Sequence, residues 1–258
     1  MVSYYEATIT VDYRRSAEQI AAVTTVTGSG AIRAELLDAL DGFVPETVFQ
    51  INYFDETQDV DYIRELIREA YYDQPAAALG MPEAQVNLYP DEGSRRVVEV
   101  LLTYPEDAKT LQGKRMQLED AAADLAEPYR VGLGNGALAS ALFGALRDSA
   151  AAEAGAGSTA YHALVEGTAD SEGMALAYKE LCDLVELSCQ VVEGTHNGER
   201  HFWTIVTLEE GSRHMDPTWE EGVLLTDAQM IQADYVWPDG EYPVCGETTI
   251  QADENAEN

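Results

Sequence analysis

The stretch Asp170-Ser171-Glu172-Gly173-Met174-Ala175-Leu176-Ala177-Tyr178-Lys179-Glu180-Leu181-Cys182-Asp183-Leu184-Val185-Glu186 decides the fold class of this 258-residue chain. Met174, Ala177, Tyr178, Leu181, Cys182 and Val185 recur every three or four residues, which places them on one stripe of a helix over residues 171–186. Residues 189–193, 200–208 and 212–215 follow it as short strands separated by turn residues, in a run of antiparallel strands. One strong helix leading into consecutive strands is an α+β unit.

Upstream, residues 107–127 and 136–150 read as two more helices, separated by the glycine-rich Val131-Gly132-Leu133-Gly134-Asn135-Gly136. The alanine- and glycine-rich residues 150–157 are expected to form a mobile loop. The first hundred residues alternate between the two periodicities. Tyr5, Ala7, Ile9, Val11 and Tyr13 alternate with polar residues as in a half-buried strand, and Ile32, Leu36, Leu40 and Phe43 have helical spacing. Phe49, Ile51 and Tyr53 return to strand spacing, and a second helix runs from Val60 through Tyr71 to a stop at Pro75. Strands at residues 86–89 and 98–104 complete a small α+β domain with a mainly antiparallel sheet. It contains no histidine, no cysteine and no phosphate-cradling glycine loop. The expected organisation is therefore an N-terminal domain over residues 1–105, a second α+β domain over 106–246, and an acidic tail over 247–258.

Fifteen basic residues against 47 acidic ones give a formal charge of −32, with no basic stripe anywhere, so nucleic acid is excluded as a partner. An anionic membrane surface would repel the chain for the same reason. With 46% hydrophobic and 24% charged residues the chain is expected to fold around a core, and no stretch approaches the apolar length of a transmembrane helix. Met1-Val2-Ser3-Tyr4-Tyr5 does not read as a signal peptide. Three cysteines leave an odd thiol and no disulfide framework; Cys182 and Cys189 are expected in the core and Cys245 half-exposed. Composition leaves the compartment undecided.

Three further motifs occur in a fixed order. Tyr161-His162-Ala163-Leu164-Val165-Glu166-Gly167 leads into the helix start at Asp170-Ser171-Glu172-Gly173; His201-Phe202-Trp203-Thr204 follows; then His214-Met215-Asp216-Pro217-Thr218-Trp219. Together they resemble the core of the bacterial transglutaminase-like superfamily, over residues 158–246 and more loosely over 107–157. The resemblance implies a papain-like fold without cofactor and a protein or peptide ligand. It implies an extracytoplasmic or cell-surface location as well. It also implies a nucleophile at the helix start, a histidine base on a neighbouring strand and an orienting aspartate on the next, which align with Ser171, His201 and Asp216. Trp203, Tyr161 and Trp219 align as substrate-binding positions.

The family's nucleophile is a cysteine, and Ser171 stands in its place. Amides and dipole at a helix start lower a thiol's pKa enough to hold a thiolate beside an imidazolium, but a hydroxyl is several units too weak an acid. The expected outcome is a degenerate, inactive site that binds; the alternative is a hydrolase or acyltransferase in which His201 activates Ser171 during attack. Plainer readings stand beside these. Ser171 suits a helix N-cap, His201 and Trp203 suit a half-buried strand face, and Asp216-Pro217 suits a turn start. His196, His201, His214 and Asp216 lie close in sequence but lack helical ligand spacing, so no metal site is expected. A chain acting only as a scaffold would have no concave site at His201.

Overall fold

The computed structural model describes residues 15–21, 23–53, 59–90 and 92–246, and its architecture is α+β. The strand expected over residues 5–13 and the tail at 247–258 lie outside the described residues. The N-terminal part comprises α1 (Ala17–Ala21), β1 (Thr24–Val26), α2 (Ser29–Asp41), β2 (Glu46–Ile51), α3 (Val60–Asp73), β3 (Glu83–Tyr89) and β4 (Arg96–Thr103). Its sheet has the order β1-β2-β4-β3; β1 lies parallel to β2 across the α2 crossover, and the other pairs are antiparallel. Phe49 pairs with Val98 and Val86 with Val100, so alternate apolar residues form one buried face. Ile32, Leu36, Ile63 and Ile67 of α2 and α3 belong to the same buried cluster. Asp59 caps α3 by accepting from the Asp61 and Tyr62 amides.

The second part adds α4 (Ala108–Ala126), α5 (Asn135–Ser149), β5 (Ala151–Ala152), α6 (Ala160–Leu164), β6 (Thr168–Ala169) and α7 (Ser171–Leu184). It closes with β7 (Cys189–His196), β8 (Glu199–Leu208), β9 (Gly211–Met215), α8 (Asp227–Gln232) and β10 (Tyr235–Val236). The antiparallel sheet has the order β10-β7-β8-β9. Every residue of α7 from Gly173 to Cys182 is buried, so this is a central helix rather than an amphipathic surface one. It packs against β7 and β8 on one side and α4, α5 and α6 on others. The principal apolar cluster runs without interruption from Val26 to Met215, and a smaller one, with Val192, Trp203, Ile205, Leu225, Met230, Tyr235 and Cys245, lies on the other face of the sheet.

The expected mobile loop at 150–157 is corrected by the structure. Ala151 and Ala152 pair in parallel with Thr168 and Ala169, and Asp170 N–H donates to Gly157 O at 3.1 Å. Close packing requires the small residue at the end of this segment: a Cβ on Gly157 would stand 2.1 Å from the His162 ring. Between β7 and β8, Asn197 and Gly198 both have positive φ (54° and 79°), the type I′ geometry of a two-residue hairpin turn.

Candidate functional site

The site is assembled where the start of α7 meets the middle of β8. Asp170, one residue before α7, accepts from Gly173 N–H at 3.1 Å and from Ser158 Oγ–H, and is the N-cap. The N-cap reading of Ser171 is thereby corrected: Asp170 already occupies that role, leaving the Ser171 side chain free to face β8. There its Oγ accepts from the Phe202 amide at 3.3 Å. Among the described residues it makes no hydrogen bond to the His201 ring.

His201, half-buried, directs Nε2 to Asp216 Oδ2 at 2.7 Å. Asp216 follows β9 directly and is fully buried. Its Oδ2 also accepts from Tyr235 Oη–H at 2.6 Å, and its Oδ1 from Thr218 N–H at 2.9 Å and Thr218 Oγ–H at 2.7 Å. Burial opposes ionisation of Asp216, but the bonds from His201, Tyr235 and Thr218 outweigh it and hold the carboxyl below its ordinary value. A carboxylate on Nε2 fixes that nitrogen as the protonated one in neutral imidazole and leaves the Nδ1 lone pair as the basic position.

His196 stacks on Tyr235, ring centroids 4.1 Å apart, with His201 edge-on at 5.4 Å. Burial and the neighbouring His201 lower its pKa. Ser171, His196, His201, Thr218 and Asp170 line a cleft of about 470 Å³ together with residues 152–155. A concave site at His201 is therefore present, which the scaffold-only reading had excluded. Next to Ser171, the Glu172 carboxylate accepts from Tyr72 Oη–H at 2.9 Å, and burial raises its pKa.

The other three aligned residues lie elsewhere. Trp203 is fully buried behind His201, with its Nε1–H donated to His214 Nδ1 at 2.9 Å, and it does not line the cleft. Tyr161, on α6, donates to Gln117 Oε1 at 3.1 Å, and Lys114 sits over its ring. Trp219 is half-buried and stacked beside Tyr235.

A second histidine–aspartate pair lies beneath the first. His214 Nε2 meets Asp227 Oδ1 at 2.8 Å, and the ligating atoms of His214, Asp227 and Cys245 fall within 4.8 Å of one another. Trp203 Nε1 is only a donor, so His214 Nδ1 must accept and Nε2 must carry the proton. A metal on Nε2 would require an imidazolate, so the trio fits a hydrogen-bonded clasp and not an open ligand set. Asp227 Oδ2 accepts from Cys245 N–H at 3.1 Å and its own N–H donates to Cys245 O, which buries Cys245 and corrects the expectation of a half-exposed thiol. Burial pushes that thiol up to about 12. Cys182 is buried as expected, whereas Cys189, at the strand start, is half-buried.

Sequence reasoning missed Tyr235, Thr218 and the Trp203–His214–Asp227 chain. Tyr235 belongs to a two-residue strand that leaves no periodic signal, whereas His214 and Asp216 at i and i+2 share a face with the partners of His201 and Trp203.

No protein-family model and no curated protein matches the chain. Among solved structures it has a weak likeness to one described as the crystal structure of a TGase, with a TM-score of 0.38 and 16% identity over 68% of this chain. The match covers 52% of that chain, so this protein spans about half the length of the structure it resembles. No described helix is long and apolar enough to cross a membrane.

Proposed function

We propose that this is a transglutaminase-like protein whose nucleophile position is held by Ser171, and that it binds a protein or peptide segment in the Ser171–His201 cleft without turning it over. The observation that carries this reading is the His201–Asp216 hydrogen bond, whose histidine lines the same cleft as Ser171 at the first residue of α7. The arrangement is that of a base held in one orientation by a carboxylate, beside a helix start. The hydroxyl, however, receives the Phe202 N–H and is not bonded to the base, and a serine at a helix start is not ionised in the ground state. The cleft offers a carbonyl-bearing segment two polar partners, the Ser171 hydroxyl and the His201 imidazole.

The test is labelling with a fluorophosphonate probe, together with an assay for amine incorporation into a glutaminyl peptide. Neither labelling nor turnover is expected. Labelling that disappears in Ser171→Ala would overturn the inactive reading in favour of a serine hydrolase or acyltransferase.

A further inference from the structure

Strand β7 leaves half of one edge unpaired. It bonds to β8 from Cys189 to His196, but to β10 only through Thr195 and His196. The two-residue turn makes His196 and Glu199 the closing pair, so even-numbered residues of β7 exchange bonds with β8 and odd-numbered ones face away. Three contacts agree with this assignment. Thr207 N–H donates to Ser188 O on the β8 side, while Asn197 N–H donates to Asp234 O and Glu193 N–H to Tyr242 Oη on the other. The N–H and C=O of Val191 and the C=O of Glu193 therefore point away from the sheet, and among the described residues no strand covers them.

That edge opens into a groove. A hollow of about 450 Å³ between α3 and the Glu241–Tyr242 segment is lined by the exposed Gln190 and by Val191. It shares Glu65, Arg68, Glu241 and Tyr242 with a second hollow of about 690 Å³ bordered by Glu193, Gly194 and Thr195, so the two form one trough along β7. Its charge is net negative: Glu65, Glu69, Asp73, Glu193 and Glu241 stand against Arg33, Arg68 and Arg200. All three arginines are already paired, Arg33 with Asp73 and Glu69, Arg68 with Glu65 and Glu193, and Arg200 with Glu193.

We propose that this trough docks an extended, lysine- or arginine-bearing segment of another protein, which adds as a strand beside β7 through Val191. Unpaired edges recruit extended peptides by main-chain bonds, and flanking side chains choose among them. The excess carboxylates select basic side chains, and a second copy of this chain is disfavoured because each carries −32. The proposal involves neither Ser171 nor His201 and is independent of the cleft.

The probe is a blocked peptide of alternating lysine and valine, titrated into the full chain while amide hydrogen exchange is followed at Val191. Binding should slow exchange at Val191 at least tenfold, roughly what one protected main-chain bond provides. A peptide of equal charge, N-methylated at alternate residues, should bind about tenfold more weakly, and so should the native peptide to Glu65→Lys/Glu241→Lys. A glutamate–valine peptide should not bind. Absence of binding by the lysine–valine peptide, unchanged exchange at Val191, or equal affinity of the N-methylated peptide would overturn the proposal, the last by showing mere adhesion to an acidic surface.

Discussion

Asp216 receives four hydrogen bonds on two oxygens, from His201, Tyr235 and both donors of Thr218, and is buried throughout. A carboxylate so fully bonded cannot swing, and the imidazole on it is fixed with it. The consequence is testable through Ser171→Cys. A thiol there would stand at the helix start in the cleft that His201 also lines, and its pKa should fall below the ordinary value of about 8.5. The measurement is the pH dependence of iodoacetamide alkylation at position 171, in the Ser171→Cys chain and in Ser171→Cys/His201→Ala. Cys182 and Cys245 are buried with raised pKa values and react slowly, whereas the half-buried Cys189 should first be replaced by alanine. The expected result is a depressed titration that returns toward the ordinary value without His201. Ordinary titration in both chains would mean that the imidazole does not see position 171, and the aligned triad would lose its physical content.

At the scale of elements, the sequence made legible what periodicity and turn chemistry encode. The stripe Met174 to Val185 marks α7, residues 189–193 and 200–208 read as strands although β7 runs on to His196, and His201 and Asp216, both picked out by motif order, are hydrogen-bonded to each other. What long-range packing decides stayed hidden. The pairing of β5 with β6 joins two alanines to residues well downstream in sequence, β10 is two residues long, and the burial of α7 on all sides is not implied by one apolar stripe. That burial includes Glu180, whose carboxyl is pushed up to about 7 by desolvation, reinforced by Asp183 and Glu119 and opposed by Lys179 and Arg115. In the unfolded chain it titrates near 4.3, so between about pH 4.3 and 7 the folded state holds a proton that the unfolded state has released. Stability is therefore lost as pH rises through that window. Glu180→Gln should raise stability at pH 8 by up to about 3 kcal/mol, the difference fading as pH falls to about 4. Melting both proteins at the two pH values checks this; an equal difference at both would show that Glu180 is not buried as a neutral acid.

At the scale of the molecule, the proposed division into residues 1–105 and 106–246 meets a continuous core. Tyr72, at the end of α3, is buried, donates its hydroxyl to Glu172 beside Ser171, and packs its ring 5.7 Å from that of Phe202 on β8. Arg68, one turn earlier, reaches Glu193 on β7 at 2.8 Å. The N-terminal part thus touches both the start of the central helix and the sheet that carries His201. Tyr72→Ala removes a buried aromatic ring and leaves Glu172 without its donor, a loss of about 3–5 kcal/mol by analogy with other large-to-small changes. Because the apolar cluster spans both parts, that loss should move one cooperative transition downward as a whole, by on the order of ten degrees for a chain of this size. Calorimetry of both proteins, with circular dichroism and tryptophan fluorescence followed in parallel, distinguishes the outcomes. All three tryptophans, Trp203, Trp219 and Trp237, lie in the second part, so fluorescence reports that part alone. If the fluorescence transition stayed in place while only part of the circular dichroism signal melted earlier, the two parts would be independently folding domains and α3 would be merely resting on the sheet. Coincident transitions that shift together would make Tyr72 a structural link between the N-terminal part and the helix start at which Ser171 sits.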